Sequence, residues 1–86
     1  MKMKKQMEFF IESQAKQIAI LHRANADLPL NGFYGELVGM CFMYELATKG
    51  LGWANYPSSS ALAKEFLKEA CGKEGVDFEE VKKRIR

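Results

Sequence analysis

The segment from Phe33 to Lys49, FYGELVGMCFMYELATK, constrains the fold most, because it has the length of a helix and is apolar around its whole circumference. At about 100° per residue, its apolar residues form two faces rather than one. One face carries Phe33, Leu37, Met40, Cys41 and Tyr44, and the opposite face carries Gly35, Gly39, Phe42 and Leu46. A surface helix of a globular domain has one apolar stripe, so two stripes predict burial on both sides.

Two glutamates interrupt this helix. Glu36 and Glu45 fall at roughly opposite edges, between the two apolar faces. We expect both carboxyl groups to reach water there, because burying an isolated charge is costly. They also lie too far out of phase to work together as an acid/base pair.

The spacing Gly35-x-x-x-Gly39 predicts that another helix approaches this face closely. Each glycine lowers helix propensity by up to about 1 kcal/mol relative to alanine, and close packing would offset that cost. Two kinds of occupant are consistent with the pattern. Helices 3 and 4 of the same chain cover this face while helix 1 covers the other, or a second copy or a partner protein covers part of it. Gly35, Gly39, Phe42 and Leu46 are thus predicted to form a close helix-packing face or a dimer face.

The first helix is predicted over residues 3–24, which contain no glycine or proline. Its core-facing stripe is predicted to consist of Met3, Met7, Phe10, Ile11, Ile18 and Leu21. Phe9 and Ile20 share the far side of this helix. Single exposed apolar residues are common, but two that align on one outer face indicate a contact with a partner.

Turn and capping residues set the other boundaries. Asn31-Gly32 is a turn dipeptide, so the second helix is placed from Phe33 to Lys49. Serines 58–60 supply N-caps for a third helix that ends at Gly72, and Asp77 caps the last helix. The chain of 86 residues is predicted to form one domain, residues 1–86. We predict an all-α four-helix bundle with helices at about 3–24, 33–49, 60–71 and 78–86 and the second helix at its centre.

The loop LGWANYPSSS contains Trp53, the one tryptophan, together with Tyr56. Such aromatic residues either fold over one end of the bundle or project as anchors for a partner, since Trp and Tyr are enriched in interface hot spots. The residues predicted to bind a partner are Phe9, Ile20, Trp53 and Tyr56.

The sequence contains no pattern typical of a catalytic or metal site. His22 is the one histidine, and no nucleophile, base and orienting group can be assembled from the residue spacing. Cys41 and Cys71 are far apart, each within an apolar helical pattern, which favours buried free thiols in a reducing compartment. We therefore expect no enzyme activity, no cofactor and no metal. Charged residues interrupt the N-terminal segment, so we expect neither a signal peptide nor a membrane span, and a cytoplasmic location.

The leading hypothesis for function is a small protein-protein interaction module, an adaptor or inhibitor that binds a protein partner through apolar contact. A homodimer is consistent with the second face of helix 2. Chains of this size without catalytic residues are typical of phage and mobile-element proteins directed at host defence or regulatory machinery, and we expect such a role here.

The alternative hypothesis is a small nucleic-acid-binding or transcription-regulating protein that uses its basic ends. Its contacts would be Lys82, Lys83, Arg84 and Arg86. The net charge of +2 is too small to provide a strong attractive field. In a helix-turn-helix arrangement Gly72 would interrupt the first helix, and the acidic start of the second, at Asp77, would face phosphates.

Overall fold

A computed structural model of the chain describes residues 2–24, 27–52 and 54–85. They form four helices: α1 (Lys2–Arg23), α2 (Leu30–Lys49), α3 (Tyr56–Glu74) and α4 (Phe78–Arg84). Within these ranges no residue forms a strand. The predicted all-α fold with four helices is confirmed.

The three long helices contact one another in all three pairs, and α4 packs on α3. The core between them consists largely of Ile11, Ala15, Ile18 and Ala19 of α1, Leu30, Leu37 and Cys41 of α2, Ala63, Leu67 and Cys71 of α3, and Val81 of α4. Each long helix therefore buries one side against the other two. α2 shares the core with α1 and α3 and does not run through its centre as predicted.

Side-chain hydrogen bonds add to the contact between α1 and α2. The amide nitrogen of Gln14 donates to the carbonyl oxygen of Phe33 at 2.9 Å and to Glu36 Oε1 at 3.1 Å. The hydroxyl of Tyr44 donates to Glu8 Oε2 at 2.6 Å. Burial, together with this carboxylate acceptor, raises the pKa of Tyr44 to about 12.

α2 begins three residues earlier than predicted. Pro29, in an extended conformation, is the N-cap, and Leu30 is fully buried as the first helical residue. The Asn31-Gly32 dipeptide was predicted to form a turn, but it lies in the first turn of the helix. Burial of Leu30 fixes this start, and tertiary packing outweighs the local turn propensity.

α3 is longer than predicted at both ends. Its N-cap is Asn55, whose Oδ1 accepts a hydrogen bond from the backbone N–H of Ser58 at 2.8 Å. The serines predicted to be caps therefore lie within the helix. At the other end the helix continues through Gly72 and ends at Gly75, whose φ of 70° is the left-handed conformation that glycine adopts most readily.

α4 begins as predicted, since Asp77 Oδ1 accepts from the backbone N–H of Glu79 at 3.0 Å. The helix ends at Arg84, and Val81 and Ile85 are buried beneath it. Arg86 lies outside the described residues.

Both cysteines are buried free thiols, as expected. Burial raises the pKa of Cys41 to about 12, with a further contribution from the nearby Glu45 carboxylate. It also raises the pKa of Cys71, where Asp77 is the second cause. In the part of the chain that the structure describes, no helix has both the length and the apolar character needed to cross a bilayer.

Candidate functional site

The outer face of α2 is uncovered. Its central line consists of Gly32, Gly35, Gly39, Phe42 and Leu46, which we call the α2 face. The three glycines are exposed, and Phe42 and Leu46 are half-buried. A Cβ atom placed on any of these glycines would meet no heavy atom within 4 Å beyond its chain neighbours and the backbone of its own helix. The packing of helices 3 and 4 over this face, one of the two predicted alternatives, therefore does not occur in the structure.

Tyr56, at the start of α3, borders the α2 face. Its side chain is 69% exposed and lines an apolar groove of about 400 Å³ together with Gly35, Gly39 and Phe42. On the opposite border Met43 is 56% exposed. The structure thus brings Tyr56, predicted as a partner-binding residue, together with residues predicted to form a dimer face. Trp53 lies outside the described residues.

Glu45 holds the start of α3 against α2. Its side chain is only 2% exposed, so the prediction that it reaches water is wrong. The hydroxyl of Ser58 donates to one carboxylate oxygen at 2.6 Å, and the hydroxyl of Ser59 donates to the other at 2.8 Å. Because Asn55 caps α3, these two hydroxyls are available to Glu45. The first turn of α3 therefore covers the edge of α2 on which Glu45 lies. Glu36 lies on the other edge between the two apolar faces and is exposed as predicted.

A second exposed apolar surface lies on the N-terminal half of α1. Phe9 is 63% exposed and Phe10 is 58% exposed, and their rings meet edge to face with centroids 5.8 Å apart. We call this pair the aromatic patch. Met3, also exposed, lies two turns nearer the start of the helix.

Phe10 and Met3 were predicted to face the core, and this is wrong. The buried stripe of α1 includes Ala15 and Ala19, both fully buried, whereas the prediction weighed the larger apolar residues. At about 100° per residue, Phe10 lies on the opposite side of the helix from Ala19. The small alanines set the side on which α1 packs, and Phe10 turns outward.

The aromatic patch borders a groove between α1 and α3. This groove, of about 480 Å³, is lined by Phe9 and Phe66 and by charged residues that include Glu12, Lys16, Glu69 and Lys73. Lys73 pairs with Glu69 at 3.4 Å, and Lys16 lies 4.0 Å from Glu74. These opposite charges partly neutralise one another. The apolar lining of the groove is therefore the part that remains available for contact with a partner.

Ile20, predicted to share a patch with Phe9, is half-buried. It lies three turns further along α1 and is not among the residues that line this groove. The exposed neighbour of Phe9 is Phe10, which the sequence assigned to the core.

The basic residues of α4 pair with acidic or polar neighbours. Lys82 Nζ lies 3.5 Å from Glu79 and over the ring of Phe78, and Lys83 Nζ lies 3.3 Å from Glu80. Arg84 donates to the carbonyl oxygen of Leu28 at 3.0 Å and to Nδ1 of His22 at 3.1 Å. Because a guanidinium has no acceptor, Nδ1 of His22 is the acceptor in this bond. These three side chains therefore carry structural contacts.

The groove beside α4 has mixed charge. It measures about 520 Å³ and is lined by Tyr34, Tyr56, Ser60, Lys64, Glu79, Lys82, Lys83 and Ile85. Among residues 2–24, 27–52 and 54–85, no three His, Cys, Asp or Glu side chains come together in a way that could hold a metal ion.

Comparison of this chain with protein-family models, with curated proteins and with solved structures finds no match. The candidate surfaces are therefore defined by geometry alone. Sequence reasoning missed Phe10 and Gly32. The signal for Gly32 was present, since Gly32, Gly35, Gly39, Phe42 and Leu46 follow one another at intervals of three and four residues.

Proposed function

We propose that this protein is a non-enzymatic binding module that recognises another protein by apolar contact, with Phe9 and Phe10 as its anchors. The observation that supports this is the aromatic patch, in which two adjacent phenylalanine rings are each more than half exposed. Exposed large apolar groups that cluster mark interaction sites more often than single ones do.

The surroundings of the patch define the partner that fits it. Phe9 borders this groove, whose lining includes Phe66, and four of its charged residues form two ion pairs, Lys73 with Glu69 and Lys16 with Glu74. A partner gains little by offering charge here, because exposed ion pairs contribute little and these are already formed. The fitting partner is a protein segment that inserts an apolar side chain between α1 and α3. An adaptor or an inhibitor would both use such a contact.

The nucleic-acid alternative is the weaker candidate. The continuous course of α3 through Gly72 removes one objection to a helix-turn-helix arrangement. However, Lys82 and Lys83 lie beside Glu79 and Glu80, which would oppose the approach of a phosphate backbone.

The test is affinity capture from the native host with the wild-type protein and with the double variant Phe9→Gln/Phe10→Gln. Glutamine keeps helix propensity and removes both rings. A matched control, Glu65→Gln/Lys68→Gln, changes two exposed residues of α3 that do not line this groove. We expect a protein that the wild type and the control retain and the double variant loses, with purified components binding at least about tenfold more weakly.

Circular dichroism melting curves show whether each variant is folded, and exposed substitutions are expected to change stability by less than about 0.5 kcal/mol. If the folded double variant retains every protein that the wild type captures, the aromatic patch is not the binding site.

A further inference from the structure

The α2 face has the spacing of a helix-helix seam. Gly32, Gly35, Gly39, Phe42 and Leu46 follow at intervals of three, four, three and four residues, the pattern of the a and d positions of a coiled coil. They lie along one side of α2, and the structure leaves that side open. The line spans about 21 Å at 1.5 Å per residue.

The two halves of this line differ in size. The first half consists of the exposed Gly32 and Gly35, and the second half carries the larger Phe42 and Leu46. Gly39 lies at the midpoint between Gly32 and Leu46. An interface between identical copies related by a twofold axis must be complementary to itself, and a helix face that is small at one end and large at the other is complementary to its own reverse.

We propose that two copies of this chain pair through the α2 face, antiparallel, with Gly39 of one copy opposite Gly39 of the other. In this register Leu46 lies opposite Gly32 of the second copy, and Phe42 lies beside its Gly35. Large side chains thus fill the spaces above glycines. A parallel pair would place Phe42 against Phe42 and leave the glycines facing one another across a gap, with a loss of packing contacts.

The area available agrees with a weak dimer. Tyr56 and Met43, at the two borders, are 69% and 56% exposed. A large side chain has an accessible area of about 150–250 Å². On that scale, the exposed parts of Tyr56, Met43, Phe42, Leu46 and the glycines give the α2 face an accessible area of roughly 400–500 Å² per copy. The total of roughly 800–1,000 Å² is at the low end for a specific interface. The dimer should therefore form at micromolar to millimolar concentration and dissociate on dilution.

This proposal concerns a different surface from the aromatic patch and does not rest on the proposed function. The Phe9→Gln/Phe10→Gln variant should dimerise as the wild type does. Loss of partner capture and loss of dimerisation are therefore separable results.

The first test is sedimentation equilibrium of the full chain over a concentration series. Gly39→Gln places a side chain on each copy at the twofold axis, where a Cβ atom meets nothing within the chain. We expect it to weaken the dimer about tenfold or more while the monomer stays folded. The matched control is Gly72→Gln, at an exposed glycine inside α3 whose Cβ also meets nothing, and its dimer constant should equal that of the wild type.

The second test measures orientation by cross-linking with a mild oxidant. Gly39→Cys should form a disulfide-linked dimer, because antiparallel pairing brings the two substituted positions together. Gly32→Cys alone should not, whereas a mixture of Gly32→Cys and Leu46→Cys should cross-link. The native Cys41 and Cys71 are buried and should not react in the folded chain.

Three outcomes would overturn the proposal. The wild type is monomeric at every concentration, or Gly39→Gln dimerises as well as the wild type, or Gly32→Cys cross-links to itself as readily as Gly39→Cys does. The last result would indicate parallel pairing.

Discussion

α2 and α3 have nearly the same length, 20 and 19 residues, and pack against the same core, but their outer faces differ. The exposed side of α3 carries Lys64, Glu65, Lys68, Glu69 and Lys73. The exposed side of α2 carries two charged residues, Glu36 and, at the end of the helix, Lys49. The outer side of α3 is therefore typical of a helix that faces water, whereas that of α2 is not.

The inner faces differ in one charged group. Both helices bury apolar residues, among them Leu37 of α2 and Leu67 of α3, but α2 also buries the carboxylate of Glu45. This carboxylate accepts from two serines in the first turn of α3. α2 thus uses its buried carboxylate to hold a neighbouring helix inside the fold, whereas the central line of its outer face is apolar and uncovered.

The largest effect is expected at the buried contact between the two helices. Glu45→Ala would leave the hydroxyls of Ser58 and Ser59 without their acceptor and open a cavity, and we expect the free energy of unfolding to fall by about 3 kcal/mol. Glu45→Gln keeps one acceptor oxygen and should cost less. Urea unfolding monitored by circular dichroism measures both values.

Glu36→Ala is the control for this prediction, because it removes an exposed carboxylate from the same helix. The hydrogen bond that its carboxylate accepts from Gln14 is exposed, so the cost should stay below about 0.5 kcal/mol. Equal costs for the two glutamates would show that burial of Glu45 does not distinguish the inner side of α2.

Much of the fold was predictable from the sequence. Helical periodicity located all four helices, and Asp77 located the start of α4. The error in the predicted end of α3 has a local cause. A glycine inside an exposed part of a helix costs only about 1 kcal/mol relative to alanine, so Gly72 does not end α3. Gly75 ends it, because a residue with φ of 70° is required there.

The orientation of the faces was less predictable. Helical periodicity shows that Glu36 and Glu45 lie on opposite edges of α2, between its two apolar faces. Which of these edges is exposed to water depends on where α3 packs. In the same way, helical periodicity alone places Phe10 in the core. The structure shows that the side of α1 with Ala15 and Ala19 faces the other helices, so Phe10 is exposed. These are properties of the assembled bundle, which local patterns do not contain.

The inner side of α2 should also make the fold sensitive to alkali. Burial and Glu45 raise the pKa of Cys41 from 9.0 to about 12 in the folded chain. The folded state therefore retains a proton that the unfolded state loses above pH 9, and the free energy of unfolding should fall by roughly 1 kcal/mol per pH unit as pH rises toward 12. Urea unfolding at a series of pH values above 8 measures the slope. Cys41→Ala should reduce the slope by that amount, because Cys71 and Tyr44, whose pKa values are also raised, keep their own contributions. An unchanged slope in that variant would assign the whole effect to such other groups.

The smallest effect distinguishes the outer faces directly. Gly39→Ala in α2 and Gly72→Ala in α3 each place a methyl group where nothing lies within 4 Å in the chain. In dilute protein, both should raise the free energy of unfolding by about 0.5–1 kcal/mol, because alanine favours the helix.

At high concentration the gain at Gly72 should persist, since α3 faces water. The gain at Gly39 should shrink if a second copy covers α2, because the added methyl groups meet at the twofold axis. Thermal unfolding of both variants at two well-separated concentrations measures this, and equal gains at both concentrations would show that the outer face of α2 is as free as that of α3.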